Sequence, residues 1–318
     1  AKYGDDLRLF GTEQAARDMD AIRAALGEPK LTYLGYSYGT LLGAVYAELF
    51  PTRIRALVLD GAEDPGQNPI GATETQAKGF ELAFANFAEW CGSNPARCPI
   101  APDAQAAVLD ALAHARTAPV RGSDGRLATA GWVFTGVIAA LYSEDAWSLL
   151  ARGLANLAQD DADLILALAD AYGERDQDGH YTNIFDVYNA VKCTDSDQWP
   201  SVERIRELQA QWRPKYPLFG AAFAVSMAAC AVWTGKHDPF PVGPATGAPP
   251  IVVVGTAGDP ATPYESTAKL ANMLGTGVVL TWGGEGHTAY PGPSCINDAV
   301  NRYLIDLVVP PNGKTCPA

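Results

Sequence analysis

Both ends of the chain alternate short apolar runs with helical stripes, whereas its middle shows helical stripes alone. Near the start, Ala15, Ala16, Met19, Ile22 and Leu26 recur at helical spacing, with Thr12 as a capping residue and Gly27 as a stop. Leu31, Tyr33 and Leu34 then belong to a run of strand length, 31–35. Leu41, Leu42, Val45, Tyr46 and Leu49 follow at helical spacing over 38–50, until Pro51 ends the run. A strand over 54–60 completes this β/α series. From about Gly66 the rhythm changes, and helices are expected over 75–90, 103–116, 146–157, 161–172 and 202–212. The Pro/Gly-rich "GKHDPFPVGPATGAPP" marks a linker. After it, Ile251 to Val254 form an unbroken β-branched run, as in a parallel strand buried on both faces. A strand at 277–282 and a helix at 294–308 follow. The pattern predicts an α/β core in two parts, 1–66 and 245–318, around a large helical cap insertion at 67–244.

Between the first strand and its helix lies Gly35-Tyr36-Ser37-Tyr38-Gly39, which fits G-x-S-x-G. That motif recurs by chance, but the strand–turn–helix context is what it requires. A nucleophile on so sharp a turn has a strained backbone, and the flanking strand and helix come close enough to demand small neighbours. The helix start also aims N–H groups at an anion formed there.

A serine hydroxyl needs a base, and the base needs an orienting acid. Of four histidines, His114 lies on an expected helix surface, and His180 and His237 lie in polar, turn-rich stretches. His287 differs: it follows the run Gly277–Trp282 through a glycine-rich turn. Asp259 comes just beyond the carboxyl end of the 251–254 run, where ligands and catalytic groups gather in open α/β sheets. Asp259 also reads as a turn starter before Pro260. Ser37, Asp259, His287 is the chain order of α/β-hydrolases.

"LGYSYGT", "YAELFPTRIRALVLDGAEDP", "GTAGDPATP" and "GEGHTAY" together resemble the tripeptidyl-aminopeptidase-like branch of the α/β-hydrolases. "AARDMDAIRAALGEPKL", "NAVKCTDSDQWP" and the tail from Pro249 to Cys316 share the likeness. It is dense over 12–66 and 249–316 and weaker between. The resemblance implies an α/β-hydrolase sheet and a secreted serine exopeptidase that removes tripeptides from free N-termini. Ser37 would be its nucleophile, Asp259 its acid and His287 its base. It also implies an upstream segment carrying the first strands and one oxyanion-hole donor. Ser37 stands close behind Ala1, so that segment of the precursor is expected as a partner, possibly a separate chain. Tyr38 N–H is the donor expected within this chain.

The 318 residues are 48% hydrophobic, enough for a sizeable core. The net charge of −13 argues against nucleic acid, and no apolar run approaches a membrane span. Six cysteines suggest an oxidising compartment, hence a secreted or cell-envelope location. Many pairings are open to them, as is the state of buried free thiols. Consecutive pairing is the expectation: Cys91 with Cys98, Cys193 with Cys230, Cys295 with Cys316. No cysteine or histidine spacing suits zinc. "GERDQDGHYTNIF" fails as a calcium loop, because aligning Gly179 with the loop glycine puts Phe185 where a glutamate belongs. Neither metal nor cofactor is expected.

The expected chemistry is acyl transfer to a peptide or small acyl substrate. Esterase or lactonase activity on the same residues is the alternative, and a non-catalytic binding protein a further one. An exopeptidase must hold a terminal ammonium, and an ammonium taken from water needs a carboxylate or carbonyls. Glu144, Asp145, Asp186, Asp195 and Asp197 are the candidates, each of which also reads as a helix cap or solvated acid.

Overall fold

The computed structural model describes residues 3–318. Helix α1 (Thr12–Ala25) leads to β1 (Leu31–Tyr36), α2 (Tyr38–Leu49) and β2 (Ile54–Asp60). A helical stretch follows: α3 (Pro69–Ser93), α4 (Ala104–Thr117), a short hairpin of β3 (Val120–Arg121) and β4 (Leu127–Ala128), then α5 (Ala130–Leu141), α6 (Trp147–Leu157) and α7 (Asp163–Tyr172). It continues through α8 (Ile184–Thr194), α9 (Val202–Lys215), α10 (Gly220–Ser226) and α11 (Ala228–Ala231). The chain closes with β5 (Ile251–Gly258), α12 (Glu265–Leu274), β6 (Gly277–Glu285), α13 (Ser294–Asp306) and β7 (Lys314–Cys316).

Two compact units result. One runs to Gly79 and resumes from Asp186 to Ala318; the other is Phe80–Phe185. The helical stretch expected as one insertion over 67–244 falls across this division, with α8 from Asp186 onward and α9–α11 in the unit that holds the sheet.

In that unit five strands lie in the order β1-β2-β5-β6-β7, all parallel. The β-branched run of β5 follows from its burial. Ile251 and Val253 face a core shared with Leu57, Leu59, Ala44 and Ala47, and with Leu270 of α12. Val252 and Val254 face the opposite core, with Ala56, Val58, Leu280 and Ile296, Val300 and Tyr303 of α13. Alternate residues from Ile251 to Val254 thus serve two layers, which is why this stretch is unbroken and apolar. Disulfides tie α8 to α11 (Cys193–Cys230) and α13 to β7 (Cys295–Cys316).

Helix α1 departs from expectation in two ways. Its N-cap is Gly11, and the Thr12 hydroxyl instead donates to Asp195 Oδ2 at 2.6 Å. Its inner face carries Thr12, Ala16 and Asp20, while Ile22 and Leu26 are exposed. Asp20 takes the inner place because Arg23, Arg53 and the Tyr46 hydroxyl surround it. The Arg23 hydrogen bond leads in holding its carboxyl below the usual range.

The Phe80–Phe185 unit is helical apart from the β3–β4 hairpin. Its core includes a cluster of Phe84, Phe87, Trp90 and Trp147, and the Cys91–Cys98 disulfide. Arg126 donates to both carboxylate oxygens of Asp170. Among the described residues, no helix is long and apolar enough to cross a membrane.

Candidate active site

β1 ends at Tyr36, and α2 begins at Tyr38. Ser37 makes the whole turn between them, with φ 53° and ψ −122°, outside the ordinary range of a residue with a side chain. The turn is held on both sides. Ser37 N–H donates to Asp60 O at 2.9 Å, while Ser37 O accepts from the Thr40 amide at 2.8 Å and the Thr40 hydroxyl at 2.7 Å. A Cβ on Gly35 would stand 2.4 Å from Gly39 O, so the strand and helix can approach this closely only with glycine there. Tyr38 N–H heads a twelve-residue helix and points where negative charge is favoured.

Asp259 lies just past β5, its side chain wholly buried. Oδ1 accepts from Ala261 N–H at 2.9 Å and Thr262 N–H at 2.8 Å, and Oδ2 from the Thr262 hydroxyl at 3.0 Å. His287, just past β6, places Nδ1 2.9 Å from each oxygen. An ionised carboxylate only accepts, so Nδ1 carries the proton and Nε2 is the basic nitrogen. Burial pulls the imidazole pKa down. The Asp259 carboxylate, with Asp60 and Glu63 beyond it, more than reverses this, so it sits above its ordinary value.

Ser37 and His287 each contact the end of β2. Asp60 holds the serine amide, and the next residue, Gly61, lies flat against the imidazole. A Cβ there would be 3.2 Å from His287 Cε1 and 3.0 Å from Thr288 Cγ2, and φ of +74° asks for glycine independently. The structure therefore gathers Ser37, Asp259 and His287 at the carboxyl ends of β1, β5 and β6. Such an arrangement can pass a hydroxyl proton to an imidazole and stabilise the imidazolium.

The five acids named for an ammonium fare differently. Asp195 has both oxygens engaged by Thr12, through its amide at 2.7 Å and its hydroxyl at 2.6 Å, and the same hydroxyl meets Tyr38 Oη at 2.7 Å. Burial pushes Asp195 up to about 6 and the Tyr38 phenol to about 12. Asp186 and Asp197 are exposed, as are Glu144 and Asp145 in a short turn of the other unit.

Two further acids border the site. Asp60 closes β2 with no exposure at all. Glu63, three residues on, donates its amide to the Thr40 hydroxyl at 3.0 Å. Burial raises the Glu63 pKa, against the pull of Lys192 and His287. "LVLDGAED" carried the signal, an apolar run ending in an acid, as at Asp259. His114, His180 and His237 are exposed. Asp176, Asp178 and His180 bring potential metal-ligand atoms within 4.8 Å of one another on an exposed turn, where Asp176 already accepts the His180 amide.

A serine turned out between a parallel strand and a helix, on a sheet of this order, places the protein among the α/β-hydrolases. A family model described as TAP-like protein matches residues 216–316. Serine protease Hip1 of Mycobacterium tuberculosis is 42% identical over 328 residues, which cover 98% of this chain and 62% of that protein. Carboxylesterase B of the same organism is 41% identical, over 98% of this chain and 61% of its own. Tripeptidyl aminopeptidase of Streptomyces lividans is 33% identical, over 99% and 60%. The chain belongs to the TAP-like family of α/β-hydrolases. It spans about three fifths of the length of these relatives.

Proposed function

We propose that the protein is a serine hydrolase working through an acyl-enzyme. Ser37 attacks the carbonyl, His287 Nε2 takes its proton, and Asp259 holds the imidazole tautomer and stabilises the cation. Tyr38 N–H supports the oxyanion, and water releases the acyl group. The observation that carries this is the pairing of His287 Nδ1 with the buried Asp259, on the far side of Gly61 from the residue that holds the Ser37 amide.

The substrate we propose is a peptide with a free N-terminus, cleaved to release a short peptide, most simply a tripeptide. Support comes from the relatives named as a serine protease and a tripeptidyl aminopeptidase. Among the acids near Ser37, Asp195 is spent on Thr12, whereas the Glu63 carboxylate makes no ion pair among the described residues and suits an ammonium better. A second reading, as an esterase, is favoured by the relative named a carboxylesterase, 41% identical. Three disulfides support an extracytoplasmic setting. Among the described residues no strand pairs with the outer edge of β1, and we propose that a strand from outside this chain covers it.

The test uses the full-length protein on free and N-acetylated tripeptide p-nitroanilides and on a small neutral ester. We expect the free tripeptide to be preferred strongly and Ser37→Ala to abolish all three activities, by about a million-fold. Equal cleavage of free and acetylated peptides removes the exopeptidase reading and leaves the esterase.

A further inference from the structure

The loop that carries His287 is held at three consecutive amides by two carboxylates. Thr288 N–H donates to Asp259 Oδ2 at 3.2 Å. Ala289 N–H is shared between the Asp60 oxygens at 3.0 and 3.1 Å, and Tyr290 N–H donates to Asp60 Oδ2 at 2.7 Å. The loop backbone is one a free chain rarely adopts: φ is +110° at Gly286 and +67° at Thr288, a residue with a β-branched side chain. Asp60 is fully buried and forms no ion pair among the described residues. Its main-chain carbonyl, on the same residue, accepts the Ser37 amide at 2.9 Å. An ordinary turn acid serves its own loop. Asp60 instead binds both Ser37 and a loop whose Ala289 lies 229 residues beyond Asp60 in the chain.

We propose that Asp60 is a positioning residue that sets the separation of nucleophile and base, its carbonyl fixing Ser37 and its carboxylate fixing the loop behind His287. This rests on the reading of Ser37 and His287 given above. Two N–H donors converging on one carboxyl need acceptor-only oxygens, so the ionised form is the one that holds the loop. Burial pushes Asp60 up to about 6; the Tyr290 and Ala289 amides oppose this, the Asp259 charge adds to it, and His287 opposes it. The groups facing Asp60 are Asp259 from the end of β5, His287 and Tyr290 from the loop after β6, and Tyr36 from β1. As pH falls through about 6, Asp60 gains a proton and its grip on the loop weakens. His287, its pKa raised above the ordinary value, gains its proton from the same side. Two protonations then silence the site, and the rate falls about a hundredfold per pH unit in place of tenfold.

The experiment measures fluorophosphonate labelling of Ser37, and kcat and KM on a neutral ester, across pH in the full-length protein and in Asp60→Asn. The wild type is expected to show an acid limb whose slope approaches two. Asp60→Asn is expected to lower kcat about a hundredfold with KM little changed, since misplacing reacting groups by an ångström costs about that much. Its limb should have a slope of one and lie at lower pH, because the charge that supported the imidazolium is gone. A variant that keeps both the wild-type rate and the wild-type limb overturns the proposal. Should Asp60→Asn fail to fold, the wild-type profile decides: a slope of one overturns the proposal, and a slope approaching two upholds it. Failure of Ser37 to label at any pH overturns the nucleophile assignment itself, a separate outcome.

Discussion

Ser37 pays for its place with a left-handed backbone, a conformation costing a residue with a side chain about 1–3 kcal/mol. The hydrogen bonds from Thr40 and to Asp60 keep it there. Gly61 bears the matching constraint on the side of the imidazole. Gly61→Ala would set a methyl 3.2 Å from His287 Cε1 at a φ of +74°. We expect a stability loss of about 1–2 kcal/mol from the left-handed alanine. We also expect a fall in kcat of about a hundredfold from the displaced ring. Ester kinetics with a parallel thermal melt separate the two effects, and an unchanged kcat would show that the ring tolerates the methyl. Ser37, Asp259 and His287 stand out in the sequence because each comes a few residues beyond an apolar run, which marks the carboxyl end of a strand. Asp60 has the same position, but the sequence gives it no distinct signal, since one acid already satisfies the chemistry. Nor does spacing reveal that Asp195 is occupied, because its partner Thr12 lies 183 residues away.

At the scale of elements, strands β2 and β5 were legible because burial on both faces leaves long apolar runs, whereas the partly buried β1 and β6 showed only shorter runs next to turn signals. Helix α5 was not. Its sequence AGWVFTGVIAAL is apolar on every face, since it packs against α7, α4 and α6, so no stripe betrays its period. The face of α1 was misread because a paired aspartate occupies an inner position that a hydropathy pattern reserves for apolar residues. Helix α8 shows the reverse, with Ile184, Val187 and Tyr188 exposed. The Cys193–Cys230 bond ties its last turn to α11 and spans 37 residues, against 21 and 7 for the other two disulfides. On the chain-entropy model that closure stabilises by about 4 kcal/mol, and the shortest by about 2. The Cys193→Ser/Cys230→Ser pair is therefore expected to lower Tm more than Cys91→Ser/Cys98→Ser does. The opposite ranking by calorimetry would assign the stability of α8 to packing.

For the molecule as a whole, the perturbed groups set a pH dependence with a definite sign. Asp60 and Asp195 are each raised to about 6, above the unfolded carboxylate, so between about 4 and 6 the folded state holds protons the unfolded state has lost. Stability therefore rises as pH falls through that window. His287, raised as well, acts in the same direction at higher pH. Asp20 is lowered by Arg23, so its contribution is lost only as pH falls below the ordinary carboxylate range. We expect Tm to be higher near pH 5 than near pH 8, the reverse of the order expected for activity; melts across that range decide it. The seam between β2 and β5 has a consequence for kinetics. Only three residue pairs join these strands, Val58 with Val252, Leu59 with Val253 and Asp60 with Val254, and the intervening chain must fold or be gathered in before they can meet. Loop-closure entropy makes so distant a parallel pairing slow. The Ser37 turn lies on one side of the seam, and Asp259 and His287 on the other. Reactivity at Ser37 should therefore return in refolding with the slowest phase, well after helical circular dichroism is regained, so that the proposed site is completed only at the last step of assembly.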